Sequence, residues 1–356
     1  MIADIPTFKP GDELTREGIR AELGGGSQGG ICPSATTPTV SLYSDTNVGD
    51  QYGYHDGWLQ EQDSLGPIFE YTGAGTQGDQ SFDGRSGSGN AAILYHVEQE
   101  RTIHLFIAVG KLPNSDTKIH RYVGQFKVDS KRPYYERPGI GSDQNPRKVI
   151  VFRLRPIGNF YRGSADFIPA AKQTRFEFVR GHATRPLEVL RRKIQKSGRA
   201  PSPATNVALQ REELRDELET KLMTEGQDIG FAQVRIKGMT DTFVSGILNR
   251  TNNTLYEPSG STTRDVLREA LMQLLDFSRY FPSTPTQPLR RMLLLPGLPD
   301  EDTLGLLAEH NVGIIYRNGS GGFTEAPAVH GQPNPDGHLT PCFDCPHRES
   351  GTPLHI

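Results

Sequence analysis

Cysteine is scarce in this chain, and long apolar runs are missing from it. Three cysteines, Cys32, Cys342 and Cys345, are too few for a disulfide framework and favour a reducing cytoplasm. No apolar stretch approaches the roughly 20 residues that a membrane-spanning helix needs, so no membrane association is expected. The polar start MIADIPTFKPGDE does not predict a secretory signal. These features argue against disulfide-rich secreted proteins and integral helical membrane proteins.

The composition that is present fits a globular protein with two domains. Of the 356 residues, 35% are hydrophobic and 23% are charged, which is enough for two separate cores. The 39 glycines and 26 prolines predict many turns and short strands.

Positive charge is concentrated in one segment. Residues 101–200 contain 22 lysines and arginines against 7 acidic residues, whereas the rest of the chain has 17 against 35. Tyrosines are interleaved with these arginines, which favours a polyanion-binding surface over a merely solvated face. The basic residues predicted to contact a DNA backbone are Arg121, Lys131, Arg132 and Arg137.

The first half predicts a β-rich domain over residues 1–185, followed by a basic, proline-containing linker at 186–205. Short apolar runs separated by turn residues predict its strands. They are Ala91–Tyr95, Ile103–Val109, Val123–Val128 and Val149–Leu154. The segment PLEVLRRKIQKS, just before the prolines, predicts a short helix.

The second half predicts an α/β domain over residues 206–320 with the element order α-β-β-β-α-β-α-β. Leucines four residues apart make 206–224 an amphipathic helix, and an apolar stripe predicts another helix after Ser261–Thr263. The later strands should be parallel because helices connect them. Residues 321–356, rich in Pro, Gly and His, predict a loosely ordered tail.

Two loops of the first half carry a family resemblance. GYHDGW at 53–58 precedes FEYTGAGTQGDQ at 69–80, and GSGNAA follows at 87–92. Together with FKPGDELTREGI near the start and the strand IVFRLRP, they resemble the SRA, or YDG, family over about residues 8–160. The resemblance implies an α+β fold, with a twisted β-barrel and flanking helices. It also implies binding of double-stranded DNA in which a modified cytosine is flipped out of the helix.

The resemblance also implies a pocket for the flipped base. Aromatic rings must replace the lost stacking, and an acceptor must meet the cytosine amino group. Tyr54 and Tyr71 match the stacking rings, and Asp56 is the carboxylate nearest the base-edge contact. Thr72 follows the second ring, Asp79 is a second candidate acceptor, and Asn90 matches a residue that supports the pocket wall.

The chain departs from the eukaryotic methyl-CpG readers in one respect. It lacks their Asn-Lys-Arg finger after the second loop. Whether the modification is methyl, hydroxymethyl or a backbone phosphorothioate is therefore left open.

The second half resembles the PD-(D/E)XK restriction-endonuclease fold, in a bacterial subgroup fused to SRA-like domains. This implies an αβββαβ core in which Asp241 and Glu257 bind Mg²⁺, with Gln273 on a helix facing the site. Ser259 stands where the family has a catalytic lysine, and serine cannot supply that positive charge. The metal-binding interpretation of the two carboxylates competes evenly with that of ordinary surface residues.

The tail contains the motif CFDCPH. Cys342, Cys345 and His347, with His338 upstream, are candidate ligands of a small zinc site. Two cysteines with loosely spaced histidines are a weak signal, so a tail without metal is the main expectation.

Three functions compete on this evidence. The leading one is a modification-dependent, type IV-like restriction protein that binds a modified cytosine and directs or performs DNA cleavage. The alternative is a non-catalytic sensor whose nuclease-like domain serves dimerisation, as a homodimer, or recruitment. The third, an RNA- or protein-binding scaffold, would require Tyr54 and Tyr71 to lie in the core with no pocket between them.

Overall fold

The structure is a computed structural model of the chain, and it describes residues 6–45, 55–181, 191–192, 194–195, 200–281, 288–319 and 321–326. The chain divides into two compact units. The first comprises Met1–Ala200 together with Phe231–Val244, and the second comprises Pro201–Gly230 together with Ser245–Ile356. Much of the predicted linker at 186–205 lies outside the described residues.

The first unit is built mainly on one sheet, with strand order β2-β3-β6-β7-β9-β5-β4. In addition, β1 pairs with β7, and β8 pairs with β9. The elements are β1 (Glu13–Thr15), α1 (Arg16–Leu23), β2 (Ile31–Pro33), β3 (Thr39–Ser44), β4 (Gly57–Asp63), β5 (Gly66–Thr72), α2 (Gly84–Leu94), β6 (Thr102–Lys111), β7 (Lys118–Val128), β8 (Tyr134–Ile140), β9 (Pro146–Phe160), a 3₁₀ turn (Ser164–Asp166) and β10 (Arg175–Arg180).

This sheet corrects the prediction of a barrel. Among the described residues β2 and β4 are its two ends, and no strand pairing joins them into a closed barrel. A second correction concerns the apolar run Ala91–Tyr95, which is helical up to Leu94 instead of extended. Its residues continue α2 from Gly84, and three consecutive side chains, Ala92 to Leu94, are buried against the sheet. A short apolar run has no period that separates a strand from a buried helical turn.

Aromatic side chains fill the core on one face of the sheet. Trp58 and Phe69 meet edge to face, with ring centroids 5.4 Å apart, and Phe126 packs against both. Trp58 is fully buried, as expected for a core residue. Along β5, Phe69 and Tyr71 face this core, whereas Ile68 packs in a separate cluster with Leu59. Side chains two residues apart share a face of a strand, so Glu70 and Thr72 lie opposite Tyr71.

A later segment of the chain completes the first unit. Strand β11 (Ile229–Arg235) enters this unit from Phe231 onward, and β12 (Thr242–Val244) pairs with it antiparallel. Gly238 N–H donates to the Ala171 carbonyl (2.9 Å), and Ala171 N–H donates to that of Met239 (2.8 Å).

The second unit is an α/β layer with parallel central strands. Its elements are α3 (Pro203–Thr224), β13 (Ile247–Asn249), β14 (Thr254–Pro258), α4 (Arg264–Ser278), β15 (Arg290–Leu295), α5 (Glu301–Glu309), β16 (Gly313–Arg317) and β17 (Phe323–Ala326). Strands β14, β15 and β16 are parallel neighbours, which confirms the predicted orientation. Leu214, Leu218 and Leu222 of α3 are buried as their spacing predicts.

Two features of this unit differ from the sequence prediction. The sequence predicts Thr242–Leu248 as the second of the three strands that follow the first helix of this half, but the segment is divided between β12 of the first unit and β13. Strand β17 lies in the segment predicted as a tail. The element order is common to many α/β proteins, and it does not identify a nuclease core. Within the described residues, no helix is both long and apolar enough to span a membrane.

Candidate functional site

Asp56 lies immediately before β4 and connects three segments of the first unit. Its Oδ1 accepts a hydrogen bond from the Thr72 N–H (2.7 Å), and its Oδ2 accepts one from the Ser44 hydroxyl (3.1 Å). Burial raises the pKa of Asp56, although hydrogen bonds from Thr72 and Ser44 oppose this shift. The structure therefore brings together two of the predicted site residues, Asp56 and Thr72. Each carboxylate oxygen keeps acceptor capacity beyond these bonds.

Tyr71 is covered in this structure. Its side chain is 3% exposed and lies in the aromatic core, where its hydroxyl donates to the Gly30 carbonyl (2.8 Å). The stacking role of Tyr71 stays a prediction. Tyr54, the other predicted ring, lies outside the described residues, and His55 beside it is half-buried.

The loop after Thr72 is held by two buried amide side chains. Asn90 on α2 accepts from Ala74 N–H (2.7 Å) and donates to the carbonyls of Ala74 (3.0 Å) and Ser81 (2.9 Å). Gln80 donates to the Gly73 carbonyl (2.6 Å) and accepts from Ile150 N–H (2.8 Å). Asn90 thus fixes the loop through its backbone, and its role as a support of a pocket wall stays a prediction.

Asp79 is an exposed residue of the same loop and links it to β9. Its Oδ1 accepts from the Lys148 N–H (2.7 Å), so this carboxylate is engaged with β9 at an exposed position. Arg147 donates to the Gly75 carbonyl (2.6 Å) and holds the opposite side of the loop. Ser44, Gln80 and Arg147 were missed by the sequence analysis. Their partners are distant in sequence or are backbone atoms, and neither leaves a local motif.

Many arginines of the basic segment are used inside the first unit. Arg121 is ion-paired with Asp166 (2.5 Å) and lies 4.4 Å above the Tyr161 ring. Of the predicted DNA contacts, Arg132 is also ion-paired, Arg137 is half-buried, and Lys131 is exposed. Arginines of the segment that donate to carboxylates or backbone carbonyls include Arg101, Arg121, Arg132, Arg147, Arg153, Arg155 and Arg162.

Asp241 lies within the first unit, among arginines. Arg153 contacts both of its carboxylate oxygens (2.7 and 3.3 Å), and Arg132 contacts Oδ1 (3.1 Å). Arg153 also pairs with Glu70 (3.0 Å). Burial opposes ionisation of Asp241, but Arg132 and Arg153 outweigh it and hold the pKa of this carboxyl below its usual value.

Glu257, the other predicted metal ligand, belongs to the second unit. It is buried at the end of β14, and Arg211 donates to its Oε1 (2.9 Å). Burial raises the pKa of Glu257, although Arg211 opposes the shift. Ser259 is buried and donates to the Ser261 carbonyl (2.8 Å), and Gln273 is exposed on α4.

Among the described residues, neither Asp241 nor Glu257 belongs to a larger group of metal-ligating side chains. Within the described part of the chain, no group of three or more His, Cys, Asp and Glu side chains could hold a metal ion. Cys342, Cys345, His347 and His338 lie outside the described residues.

Comparison with known proteins finds an SRA domain in the N-terminal region. Residues 10–173 match the model of the ScoMcrA-like SRA domain. No curated protein matches the chain. Solved structures that match part of the chain include the sulfur binding domain and SRA domain of ScoMcrA complexed with phosphorothioated DNA. That match has 22% identity and a TM-score of 0.30, and it covers 42% of this chain and 40% of that one.

Two further structures have similar scores. The SRA domain of SUVH5 in complex with hemimethylated CG DNA has 21% identity and a TM-score of 0.30, covering 46% of this chain and 97% of that chain. The DNA recognition domain of the cytosine modification-dependent restriction endonuclease LpnPI has 15% identity and a TM-score of 0.29, covering 40% and 66%. The chain thus spans well under half of the ScoMcrA structure that it matches. Residues 10–173 form an SRA domain of the ScoMcrA type.

Proposed function

We propose that the first unit binds double-stranded DNA carrying a modified cytosine, as part of a modification-dependent restriction system. The observation that carries this proposal is the match of residues 10–173 to the ScoMcrA-like SRA model. ScoMcrA is described as a type IV phosphorothioation-dependent restriction endonuclease. LpnPI is described as dependent on cytosine modification.

The chemistry around Asp56 supports recognition of a flipped cytosine. Thr72 N–H and Ser44 hold the carboxylate in one orientation, and its remaining lone pairs can accept from the N4 amino group. Thymine presents a carbonyl at that position, which would face the carboxylate unfavourably. Asn90 and Gln80 keep the neighbouring loop in place, so the loop that we propose as a wall of the base-binding pocket is preorganised.

A methyl or hydroxymethyl group at cytosine C5 is the proposed ligand group. It is supported by the acceptor oxygens of Asp56, which suit the edge of a base. A backbone phosphorothioate, as in the DNA of the ScoMcrA complex, is the alternative that the binding test includes.

The proposal is tested by binding of the full chain to duplexes that differ in one nucleotide. The set contains unmodified, 5-methyl, 5-hydroxymethyl and phosphorothioate versions of the same sequence. We expect tighter binding to a C5-modified duplex and enhanced fluorescence of a 2-aminopurine beside it, because extrusion unstacks the neighbouring base. Asp56→Asn should remove most of the preference. Equal affinity for all four duplexes would refute the proposal.

For the second unit, we favour a role in a non-catalytic sensor of modified DNA over DNA cleavage. Ser259 stands where the nuclease family has lysine, and Glu257 is already paired with Arg211. In this proposal the second unit serves dimerisation or recruitment, and Mg²⁺ at Glu257 belongs to the nuclease alternative. Cleavage of a modified duplex with Mg²⁺ decides between them. Cutting by the natural chain that Glu257→Gln abolishes would establish the nuclease.

A further inference from the structure

The segment Phe231–Val244 follows α3 in sequence but is anchored in the SRA-containing unit at several points. The Gln60 N–H donates to the Thr240 hydroxyl (2.8 Å). Glu61 accepts from the backbone N–H groups of Thr240 (2.9 Å) and Asp241 (3.1 Å). These contacts fix the backbone of Thr240 and Asp241 against β4.

Asp241 then supplies a charge that the first unit needs. Arg153 has a side chain only 7% exposed, and Arg132 is also part-buried. Glu70 alone would leave these two cations with one carboxylate, and an unbalanced buried charge is costly. Asp241 contacts both arginines, so that the cluster of Glu70, Arg132, Arg153 and Asp241 contains two carboxylates and two cations.

This cluster reaches the strand that carries the candidate base-binding residues. Glu70 and Arg153 are direct partners in the pairing of β5 with β9, and the Tyr135 hydroxyl donates to Glu70 (2.9 Å). Glu70 precedes Tyr71 and Thr72 in the chain, and Thr72 N–H holds Asp56. A shift of the Glu70 side chain would therefore displace the end of β5.

We propose that Asp241 is a positioning residue of the base-binding site, acting through Arg153 and Glu70 on the end of β5. This inference rests on the proposed function of that site. It assigns to residues 231–244 a structural role in DNA recognition, although they lie outside the stretch matched to the SRA family.

The chain offers a matched control for this proposal. Arg155, two residues after Arg153 on β9, makes an equivalent buried pair with Asp129 (2.5 Å). Asp129 and Asp63 neutralise Arg155, and among the described residues neither is recorded in contact with Glu70 or Asp241. Asp129 Oδ1 also accepts from the backbone N–H groups of Lys131 and Arg132, and the Oδ1 of an asparagine at position 129 can keep these two bonds. Asp241→Asn and Asp129→Asn each remove one buried Arg–Asp pair, but only Asp241→Asn removes a pair that involves the partner of Glu70.

The experiment measures the ratio of the dissociation constants for unmodified and modified duplex, using the full chain. Asp241→Asn should lower this ratio about tenfold, Asp241→Glu should largely restore it, and Asp129→Asn should keep it even if its melting temperature falls. Unchanged discrimination in Asp241→Asn, or equal losses in both asparagine variants, would overturn the inference.

Hydrogen exchange without DNA separates this inference from the proposed function. Asp241→Asn should accelerate exchange of the amides of Gly66–Thr72, whereas Asp129→Asn should not. If the natural chain showed no preference for modified DNA, the proposed function would fail. Independently of that result, exchange of the β5 amides in Asp241→Asn that is as slow as in the natural chain would overturn the positioning role.

Discussion

The ring of His104 lies in the interior of the first unit, with 2% of the residue exposed and Nδ1 3.0 Å from the Tyr122 hydroxyl. Burial lowers the pKa of His104 from 6.5 to about 4. The folded state therefore resists protonation, and the unfolded state binds the proton first as the pH falls. The stability that depends on neutral His104 is fully present above pH 6.5 and is lost as the pH falls from there towards 4.

We expect this histidine to contribute about 3 kcal/mol to the acid sensitivity of the first unit. Urea unfolding between pH 7 and pH 4 should show the free energy of unfolding decreasing, and His104→Gln should flatten that decrease. The exposed His310 on the second unit is the control, and His310→Asn should leave the profile unchanged. An identical acid limb in His104→Gln would contradict the assignment.

Asn90 illustrates how one side chain can hold a loop. It makes three hydrogen bonds to the backbone of Ala74 and Ser81. Asn90→Ala should lower the free energy of unfolding by about 2–4 kcal/mol, because buried backbone groups lose their partners. Ser88→Ala, at an exposed position on the same helix, should change it little. Denaturant unfolding measures both, and equal stabilities would show that the loop is held otherwise.

At the scale of elements, the second unit depends on a close approach of the loop after β14 to α3. A Cβ added to Gly260 would lie 1.8 Å from the Val207 carbonyl oxygen. Gly260→Ala should therefore force the loop and helix apart and destabilise this unit by about 3 kcal/mol or more. Hydrogen exchange of peptides from α3 and β14 measures the effect.

Gly297 provides the comparison for Gly260. A Cβ there meets no atom within 4 Å, so Gly297→Ala should leave exchange in α3 and β14 unchanged. A Gly260→Ala variant with the same protection as the natural chain would mean that the loop can move aside without loss.

At the scale of the whole molecule, the basic segment is less available to DNA than its charge suggests. Exposed Lys131 can contact a phosphate, whereas Arg153 is buried in ion pairs. Lys131→Gln should weaken binding to modified and unmodified duplexes alike. It should also lower the slope of log affinity against log salt by about 0.9, the value for one phosphate.

Lys111, already paired with Asp116 at 2.7 Å, is the control for this measurement. Lys111→Gln should change the slope less than Lys131→Gln does. A salt slope unaffected by Lys131→Gln would place the DNA backbone elsewhere on the molecule.

The sequence by itself determined the features that depend on local pattern. The leucine spacing in α3 and the parallel strands β14–β16 follow from periodicity and connectivity, and both are present. The loops GYHDGW and FEYTGAGTQGDQ, with three further short segments, resemble the SRA family, and the model of the ScoMcrA-like SRA domain matches residues 10–173. The Thr72 N–H donates to Asp56, which joins the two loops, while the roles of both residues in base binding stay predictions.

Only the tertiary structure decided which charges balance one another. GMTDTF gives no sign that Asp241 pairs with Arg153, since 88 residues separate them in sequence. The basic segment likewise predicted a polyanion-binding surface, yet many of its arginines are donors within the first unit. Ion pairs between distant strands depend on sheet register and on where the chain returns. Neither is encoded in local periodicity, so burial and pairing of these side chains emerge only from the folded molecule.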